Sequence, residues 1–335
     1  MKVFYHSLEQ NYAPRHSFFN GVLVPYPDVP GRTRNILAAI EGDARFEMQP
    51  PPAPHSAAPE ALHGPGFVEA MEAVCGRLRE DEQFFPFLAR PAALLLKSAY
   101  PRIRMGYYTV DGSTPLLAQS YQVALAAADT ATAGAQALLE GERLAYAIPR
   151  PPGHHAGREF FAGYCLFNNA ALAAVRLGEM GKVAILDVDF HHGNGSQDIF
   201  YDRDDVLYVS LHCRPEEAYP YIAGSREEGG AGKGRGCNVN LPLPAGTAWE
   251  DYEAALQTAL EHVRRFAPQA VVLSAGFDTL AQDPIGLFSL EIDHMQRIGR
   301  MIAGLGLPLL VVQEGGYHVP SLGACALKLF DGLIQ

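Results

Sequence analysis

Five short apolar runs recur along the chain from Leu144 onward, separated by stretches of helical periodicity. None of the five alternates between apolar and polar positions, and they cover residues 144–148, 182–189, 205–211, 270–276 and 308–313. Continuous apolar runs of this length are typical of strands in a parallel sheet that is covered on both faces. We therefore predict five such strands.

The intervening stretches include two amphipathic segments, residues 169–181 and 249–266. Thr247 stands three residues before Glu250, a spacing that predicts a capping box at the start of the second helix. Strand–helix alternation of this kind predicts an α/β fold with a central, mostly parallel sheet, helices on both faces and right-handed crossovers.

The first 110 residues are less regular. The proline-rich sequence at residues 49–54 predicts a loop, because proline disrupts both helices and central strands. Residues 81–106 mix charged, aromatic and proline residues without a period, so we expect an extended surface loop there. There is no internal repeat and no long linker, which predicts one domain over residues 1–335 with the 81–106 loop as an insertion.

The composition fits a globular protein, with 48% hydrophobic and 19% charged residues among 335. The net charge of −11 argues against binding to a nucleic-acid backbone, which requires clustered Lys and Arg. The chain has five dispersed cysteines without a CxxC pair, which argues against a disulfide framework and a thiolate zinc site. They are Cys75, Cys165, Cys213, Cys237 and Cys325.

The N-terminal sequence turns polar after four residues, so we expect no signal peptide. No apolar run approaches the ~18 residues that a membrane-spanning helix needs. We expect a soluble, cytoplasmic protein without a membrane partner.

Residues with acid–base or metal-binding side chains follow four of the predicted strands. In an open parallel sheet, ligands bind beyond the carboxyl ends of the strands. Asp187, Asp189 and His191 are spaced by two, so they should point to one side, whereas His192 should point to the other. The other three strands are followed by His154 and His155, by Asp278, and by Tyr317 after two glycines.

Each of these residues alone has an ordinary explanation. An aspartate after a strand commonly caps a helix, a histidine pair commonly lies on the surface, and a tyrosine commonly packs in the core. Their joint occurrence at one edge of one sheet instead favours a shared site.

Asp189, His191 and Asp278 together offer two carboxylates and one imidazole. Three protein ligands with an open position are typical of catalytic zinc, although the oxygen-rich set would also suit Fe²⁺ or Co²⁺. Such a metal polarises a carbonyl and acidifies water, as amide hydrolysis requires. The pair His154 and His155 suits proton transfer, and Tyr317 suits hydrogen bonding to an oxyanion.

Four longer motifs resemble the histone deacetylase superfamily. They are RPPGHHAG, DVDFHHGNGSQDIFY, AGFDTLAQDP and EGGY, and the resemblance extends over essentially the whole chain. The PPGHH form and Asn194 are similar to the class II-like bacterial branch, which includes the acetylpolyamine amidohydrolases. The resemblance implies an arginase-like α/β fold and a deacetylase activity.

The resemblance also implies roles for individual residues. Asp189, His191 and Asp278 would bind zinc. His155 would be the general base and acid, oriented by Asn194. His154 would be an electrostatic partner held by Asp187, and Tyr317 would polarise the substrate carbonyl. A structural potassium ion, which would tune the acidity of the histidine pair, would bind at Asp187, Asp189, His191, Ser210 and Leu211.

For substrate binding, the resemblance implies that the Gly163 carbonyl accepts the substrate amide N–H. Tyr164 and Tyr219 would form the walls of a narrow tunnel, with Ile285 nearby. The related branch carries glutamates after its GYY sequence to hold a cationic chain, whereas this chain offers only Asp111 there. The 81–106 insertion would narrow the entrance and support a homodimer.

The leading hypothesis is therefore a zinc-dependent hydrolase that deacetylates small N-acetylated amines. The first alternative is a protein acetyl-lysine deacetylase with the same chemistry and a wider entrance. The second, of another class, is a non-catalytic protein that binds an acetylated ligand.

Overall fold

Parallel strands form the centre of the molecule. The structure is a computed structural model that describes residues 1–19, 21–50, 57–87 and 93–334. Its strands are β1 Lys2–Phe4, β2 His16–Phe19, β3 Val22–Pro25, β4 Glu47–Met48, β5 Leu144–Ala147, β6 Val183–Asp187, β7 Val206–Cys213, β8 Asn238–Leu243, β9 Ala270–Ala275 and β10 Leu309–Gln313. Eight of them form one parallel sheet in the order β4-β1-β5-β10-β9-β6-β7-β8, while β2 and β3 form a separate hairpin. This confirms the predicted fold class.

Helices cover both faces of the sheet. They are α1 Gly31–Ile40, α2 Pro65–Cys75, α3 Pro101–Tyr108, α4 Ser120–Leu139, α5 Asn169–Leu177, α6 Asn194–Phe200, α7 Trp249–Phe266, α8 Ile292–Ala303 and α9 Leu322–Leu333. Ala184 and Leu186 of β6 pack in the core formed with α1, α7, α8 and α9. Val183 and Ile185 pack in the core on the opposite face, with α4 and α5. Successive side chains of a buried strand thus enter two different cores, which explains why its sequence is apolar throughout.

All five predicted apolar runs contain a strand. The shorter strands β1 and β4 were not predicted, because two or three residues are too few to show a hydrophobic pattern. Strand β8 was also not predicted, because Asn238, Asn240 and Pro242 interrupt its apolar pattern. It lies at the end of the sheet, where a proline without an N–H is tolerated.

The predicted capping box before α7 is wrong. The Thr247 hydroxyl donates to the Pro244 carbonyl at 2.7 Å, and the helix follows Ala248 without a side-chain cap. Thr247 therefore stabilises the preceding turn, a local alternative that threonine commonly adopts.

The predicted 81–106 loop is only partly irregular. Its last residues begin α3, where Met105 and Gly106 are buried. Residues 88–92 of this segment, and residues 51–54 of the predicted proline-rich loop, lie outside the described residues. Among the residues that were described, no helix combines the length and apolar character needed to span a bilayer.

His63 precedes α2 and connects it to the segment that contains Gly157 and Asn168. Its Nε2 accepts the Asn168 N–H at 3.0 Å, so its Nδ1 carries the proton and donates to the Gly157 carbonyl at 2.7 Å. Burial lowers the pKa of His63 to about 4. The folded state therefore binds fewer protons than the unfolded state between about pH 6.5 and 4.

We accordingly expect the stabilising contribution of neutral His63 to be complete above about pH 6.5 and to fall by up to ~3 kcal/mol as the pH drops to about 4. His63→Gln should reduce the pH dependence of the free energy of unfolding by about one proton in that range. Urea unfolding at a series of pH values measures this. An unchanged slope in the variant would contradict the assignment.

Candidate functional site

The three predicted metal ligands meet at the carboxyl edge of β6 and β9. Asp189 and His191 follow β6, and Asp278 follows β9, its neighbour in the sheet. One ligand atom from each lies within 4.8 Å of the other two. The His191 Nδ1 is 3.0 Å from the Asp278 Oδ2 and 3.3 Å from the Asp189 Oδ1. Adjacent parallel strands thus bring together residues that are distant in the sequence.

The charges at this position suit a divalent cation. Asp189 and Asp278 are both completely buried. Burial, reinforced by the negative charge of Asp189, raises the pKa of Asp278 well above its usual value. Two buried carboxylates at close range are costly unless a cation compensates them. The buried Asp189, His191 and Asp278 donor set therefore fits a metal ion such as Zn²⁺.

The two neighbouring histidines differ in their partners. The His154 Nδ1 lies 3.1 Å from the Asp187 Oδ2, and the His155 Nδ1 lies 2.8 Å from the Asn194 Oδ1. Their ring centroids are 4.1 Å apart. One histidine therefore faces a carboxylate and the other a neutral amide, as the motif resemblance implied.

This difference in partners shifts the pKa values of the two histidines in opposite directions. Burial opposes a charged His154, but the carboxylates of Asp189 and Asp187 outweigh it and raise its pKa to about 10. Burial, together with the positive charges of His154 and His191, holds the pKa of His155 well below its usual value. A cationic His154 beside a neutral His155 provides a fixed positive charge and a proton acceptor in one pair.

Tyr317 follows β10 in a turn that Gly316 makes possible with a φ of 113°. Arg32 donates to the carbonyls of Glu314 and Gly316, each at 2.5 Å, and its guanidinium lies 4.8 Å from the Tyr317 ring centroid. Asp28 accepts from the buried Arg32 at 2.5 Å. The turn that carries Tyr317 is thus fixed from the N-terminal part of the chain.

A cavity of about 440 Å³ leads to these residues. His155, His191 and Tyr317 line it, together with the predicted Tyr164, Tyr219 and Ile285. The Tyr219 ring packs edge-on to His155 with centroids 4.9 Å apart, and the Tyr164 ring approaches Tyr317 at 5.9 Å. The structure therefore brings the predicted aromatic walls and the predicted catalytic groups together around one space.

Gly163 lies between these walls with a φ of 54°, and a Cβ there would overlap the His155 ring. Its N–H donates to the Asp111 Oδ2 at 2.9 Å, and the Tyr219 hydroxyl donates to the same oxygen at 2.6 Å. Asp111 is not among the residues that line the cavity. These two hydrogen bonds connect Gly163 to Tyr219, both of which line the cavity. A direct contact between Asp111 and the substrate stays a prediction.

The predicted potassium-binding residues also lie close together. Asp187 of β6 is directly opposite Ser210 of β7, and Leu211 is the next residue of that strand. The Ser210 hydroxyl lies 2.8 Å from the His212 Nδ1. The ion itself stays a prediction, as does the homodimer.

Sequence reasoning missed two residues that shape this site. Arg32 gave no signal, because the two carbonyls that it holds, those of Glu314 and Gly316, lie near the opposite end of the chain. The Glu314 carboxylate accepts the N–H groups of Gly153 at 2.7 Å and His154 at 3.2 Å, and so connects the EGGY turn to the histidine loop. Its position directly after a strand could have identified it.

A family model described as "Histone deacetylase domain" matches residues 26–333. The acetylpolyamine amidohydrolase of Mycoplana ramosa is 40% identical over 324 residues, which cover 94% of each chain. Acetylpolyamine amidohydrolase 2 of Pseudomonas aeruginosa is 38% identical over 328 residues, covering 95% of this chain and 94% of that one. The similarity therefore extends over nearly the full length of these relatives.

The crystal structure of the acetylpolyamine aminohydrolase from Burkholderia pseudomallei superposes with a TM-score of 0.93. It is 38% identical in sequence, and the match covers 99% of this chain and 98% of that chain. The shared sequence and fold show that the chain belongs to the histone deacetylase family and is a hydrolase of the deacetylase class.

Proposed function

We propose that this protein is a zinc-dependent amide hydrolase that removes the acetyl group from small N-acetylated amines of the acetylpolyamine type. The observation that carries the proposal is the buried set of Asp189, His191 and Asp278 at a cavity lined by His155 and Tyr317. The names of the relatives with about 40% identity support the substrate class.

Bound zinc would supply a Lewis acid that polarises the amide carbonyl and lowers the pKa of water. His155 would accept the proton of the attacking water. The Asn194 Oδ1 accepts from the His155 Nδ1, which leaves the Nε2 lone pair free for this step. His155 would then return the proton to the leaving amine nitrogen.

His154 and Tyr317 would stabilise the negative charge that develops on the substrate. His154, held by Asp187, would contribute a positive charge in its protonated form. Burial raises the pKa of Tyr317 well above its usual value, so its hydroxyl keeps its proton. It would donate a hydrogen bond to the carbonyl oxygen as that oxygen becomes negative.

The aromatic lining of the cavity supports a substrate with an apolar chain. Tyr164, Tyr219 and Gly163 all line it, so an alkyl chain would pack against the two rings and its amide N–H would donate to the Gly163 carbonyl. Within the described part of the chain, Glu217 is the one carboxylate residue that lines this cavity. A positively charged amine beyond the alkyl chain would gain from this carboxylate and from the aromatic faces.

The deciding measurement compares kcat/KM of the zinc-loaded enzyme for a monoacetylated diamine and for an acetyl-lysine peptide. We expect the small amine to be preferred by at least ~10-fold, or about 1.4 kcal/mol. A preference for the peptide would overturn the substrate class in favour of a protein deacetylase. Binding of both without hydrolysis would overturn catalysis in favour of a non-catalytic binding protein.

Glu217→Gln should raise KM for the monoacetylated diamine about two- to five-fold, as expected for a partly solvated ion pair. KM for an acetamide with a neutral alkyl tail should not change. Glu216→Gln is the matched control, because this neighbouring glutamate does not line the cavity. Equal changes in KM for charged and neutral substrates would contradict charge recognition by Glu217.

A further inference from the structure

Asp283 is a buried carboxylate with no role in the proposed chemistry. It lies between β9 and α8, after Asp278, and is only 7% exposed. It is not part of the metal-binding set, and it does not line the cavity. Its side chain nevertheless connects two segments that do reach the cavity.

Each oxygen of Asp283 accepts two backbone N–H groups. The Oδ2 accepts from Tyr317 at 2.6 Å and from His318 at 3.1 Å. The Oδ1 accepts from Ile285 at 3.0 Å and from Gly286 at 3.2 Å. A single carboxylate therefore joins the turn that carries Tyr317 to the cavity-wall loop, residues 284–287.

Neither segment can easily move away from the metal site. A Cβ on Gly286 would overlap the carbonyl oxygen of Asp278, so the cavity-wall loop rests directly on the backbone of a predicted metal ligand. On the other side, Arg32 holds the carbonyls of Glu314 and Gly316. Asp283 supplies the complementary contact, because it accepts the Tyr317 N–H, which directly follows the Gly316 carbonyl, and the next N–H, that of His318.

We propose that Asp283 is a positioning residue that sets the place of the Tyr317 hydroxyl relative to the cavity wall, and hence relative to the substrate carbonyl. The proposal rests on the proposed catalytic role of Tyr317. A misplacement of a reacting group by about 1 Å can cost ~100-fold in rate. The four N–H donors around one carboxylate limit such movement in two segments at once.

Asparagine has nearly the same shape but only one accepting oxygen. In Asp283→Asn, the amide NH₂ would face either the Tyr317 and His318 N–H groups or those of Ile285 and Gly286. One of the two pairs would lose its acceptor, so the link between turn and wall would break. Loss of this link could also lower stability, so activity alone does not identify a positioning role.

The test is a double-mutant cycle of Asp283→Asn with Tyr317→Phe, measured as kcat of the metal-loaded enzyme with metal content determined for each variant. In the wild-type background, Asp283→Asn should lower kcat by about 10- to 100-fold and change KM less than about three-fold. In the Tyr317→Phe background, the further loss should be less than about three-fold, because the hydroxyl that Asp283 positions is already absent. The metal content should not change.

Asp129→Asn is a matched control. Asp129 is also buried and accepts a backbone N–H, from Ala57 at 2.7 Å, but it lies on α4. It should lower the melting temperature and leave kcat within about two-fold in both backgrounds. Asp283→Glu repeats the cycle if Asp283→Asn does not fold, because glutamate keeps both accepting oxygens while displacing them by one methylene.

Equal fold losses in the two backgrounds would overturn the role of Asp283, as would loss of metal or an unchanged kcat in the wild-type background. A normal kcat in Tyr317→Phe alone would instead overturn the proposed catalytic role of Tyr317. Failure of the inference and failure of the proposed function are thus distinguishable.

Discussion

Asp278→Asn is expected to leave the protein without tightly bound metal and to lower kcat by more than ~10³-fold. The substitution keeps the size of the side chain and the hydrogen bond that its Oδ1 accepts from the Phe190 N–H at 3.0 Å. It removes one of the two negative charges of the three-residue donor set. Asp189 then remains as the carboxylate ligand and His191 as the imidazole ligand. Elemental analysis after dialysis measures the metal, and a steady-state assay measures kcat.

Asp198→Asn is the control for this experiment. Asp198 is an exposed carboxylate of α6 that accepts the Arg158 N–H at 2.8 Å, away from the donor set. Its variant should keep the wild-type metal content and rate. Full metal content in Asp278→Asn would show that the metal site does not include Asp278.

Tyr317→Phe is expected to lower kcat by ~100-fold or more, the usual effect of removing one oxyanion donor. The variant loses the hydroxyl alone, and the ring keeps its contacts with Arg32 and Tyr164. Metal content, KM and melting temperature should therefore stay close to those of the wild type. Single-turnover kinetics at saturating substrate would show whether the loss lies in the chemical step.

Tyr121→Phe provides the comparison, because Tyr121 is a buried tyrosine of α4 that does not line the cavity. It should change kcat less than about two-fold. If Tyr317→Phe kept a near-normal kcat on several acetylated substrates, Tyr317 would not be the oxyanion donor.

The strand ends explain how much of the site could be predicted from the sequence. Asp189 and Asp278 each follow an apolar run that ends abruptly in polar residues, and parallel pairing places both at one edge of the sheet. The same reasoning located the histidine pair after β5 and Tyr317 after β10. Local sequence was sufficient here, because the carboxyl end of a parallel strand has the same location in every such sheet.

Arg32 and Asp283 could not be found in this way. Arg32 contacts the Gly316 carbonyl from 284 positions away in the sequence. Asp283 binds backbone N–H groups. Because every residue except proline has such a group, these partners cannot be recognised from the types or the spacing of side chains. Thr247 shows the opposite difficulty, since its sequence pattern matched a helix cap while a competing turn satisfied its hydroxyl.

The position of β10 has a consequence for the growing polypeptide on the ribosome. This strand, close to the C-terminus, lies between β5 and β9 and pairs with both. Until it has been synthesised, the segment that ends in the histidine pair and the segments that end in Asp189 and Asp278 lack the strand that joins them. Nascent chains that stop before Leu309 should therefore hold two separate sub-sheets, and deacetylation should begin only after β10 has left the exit tunnel.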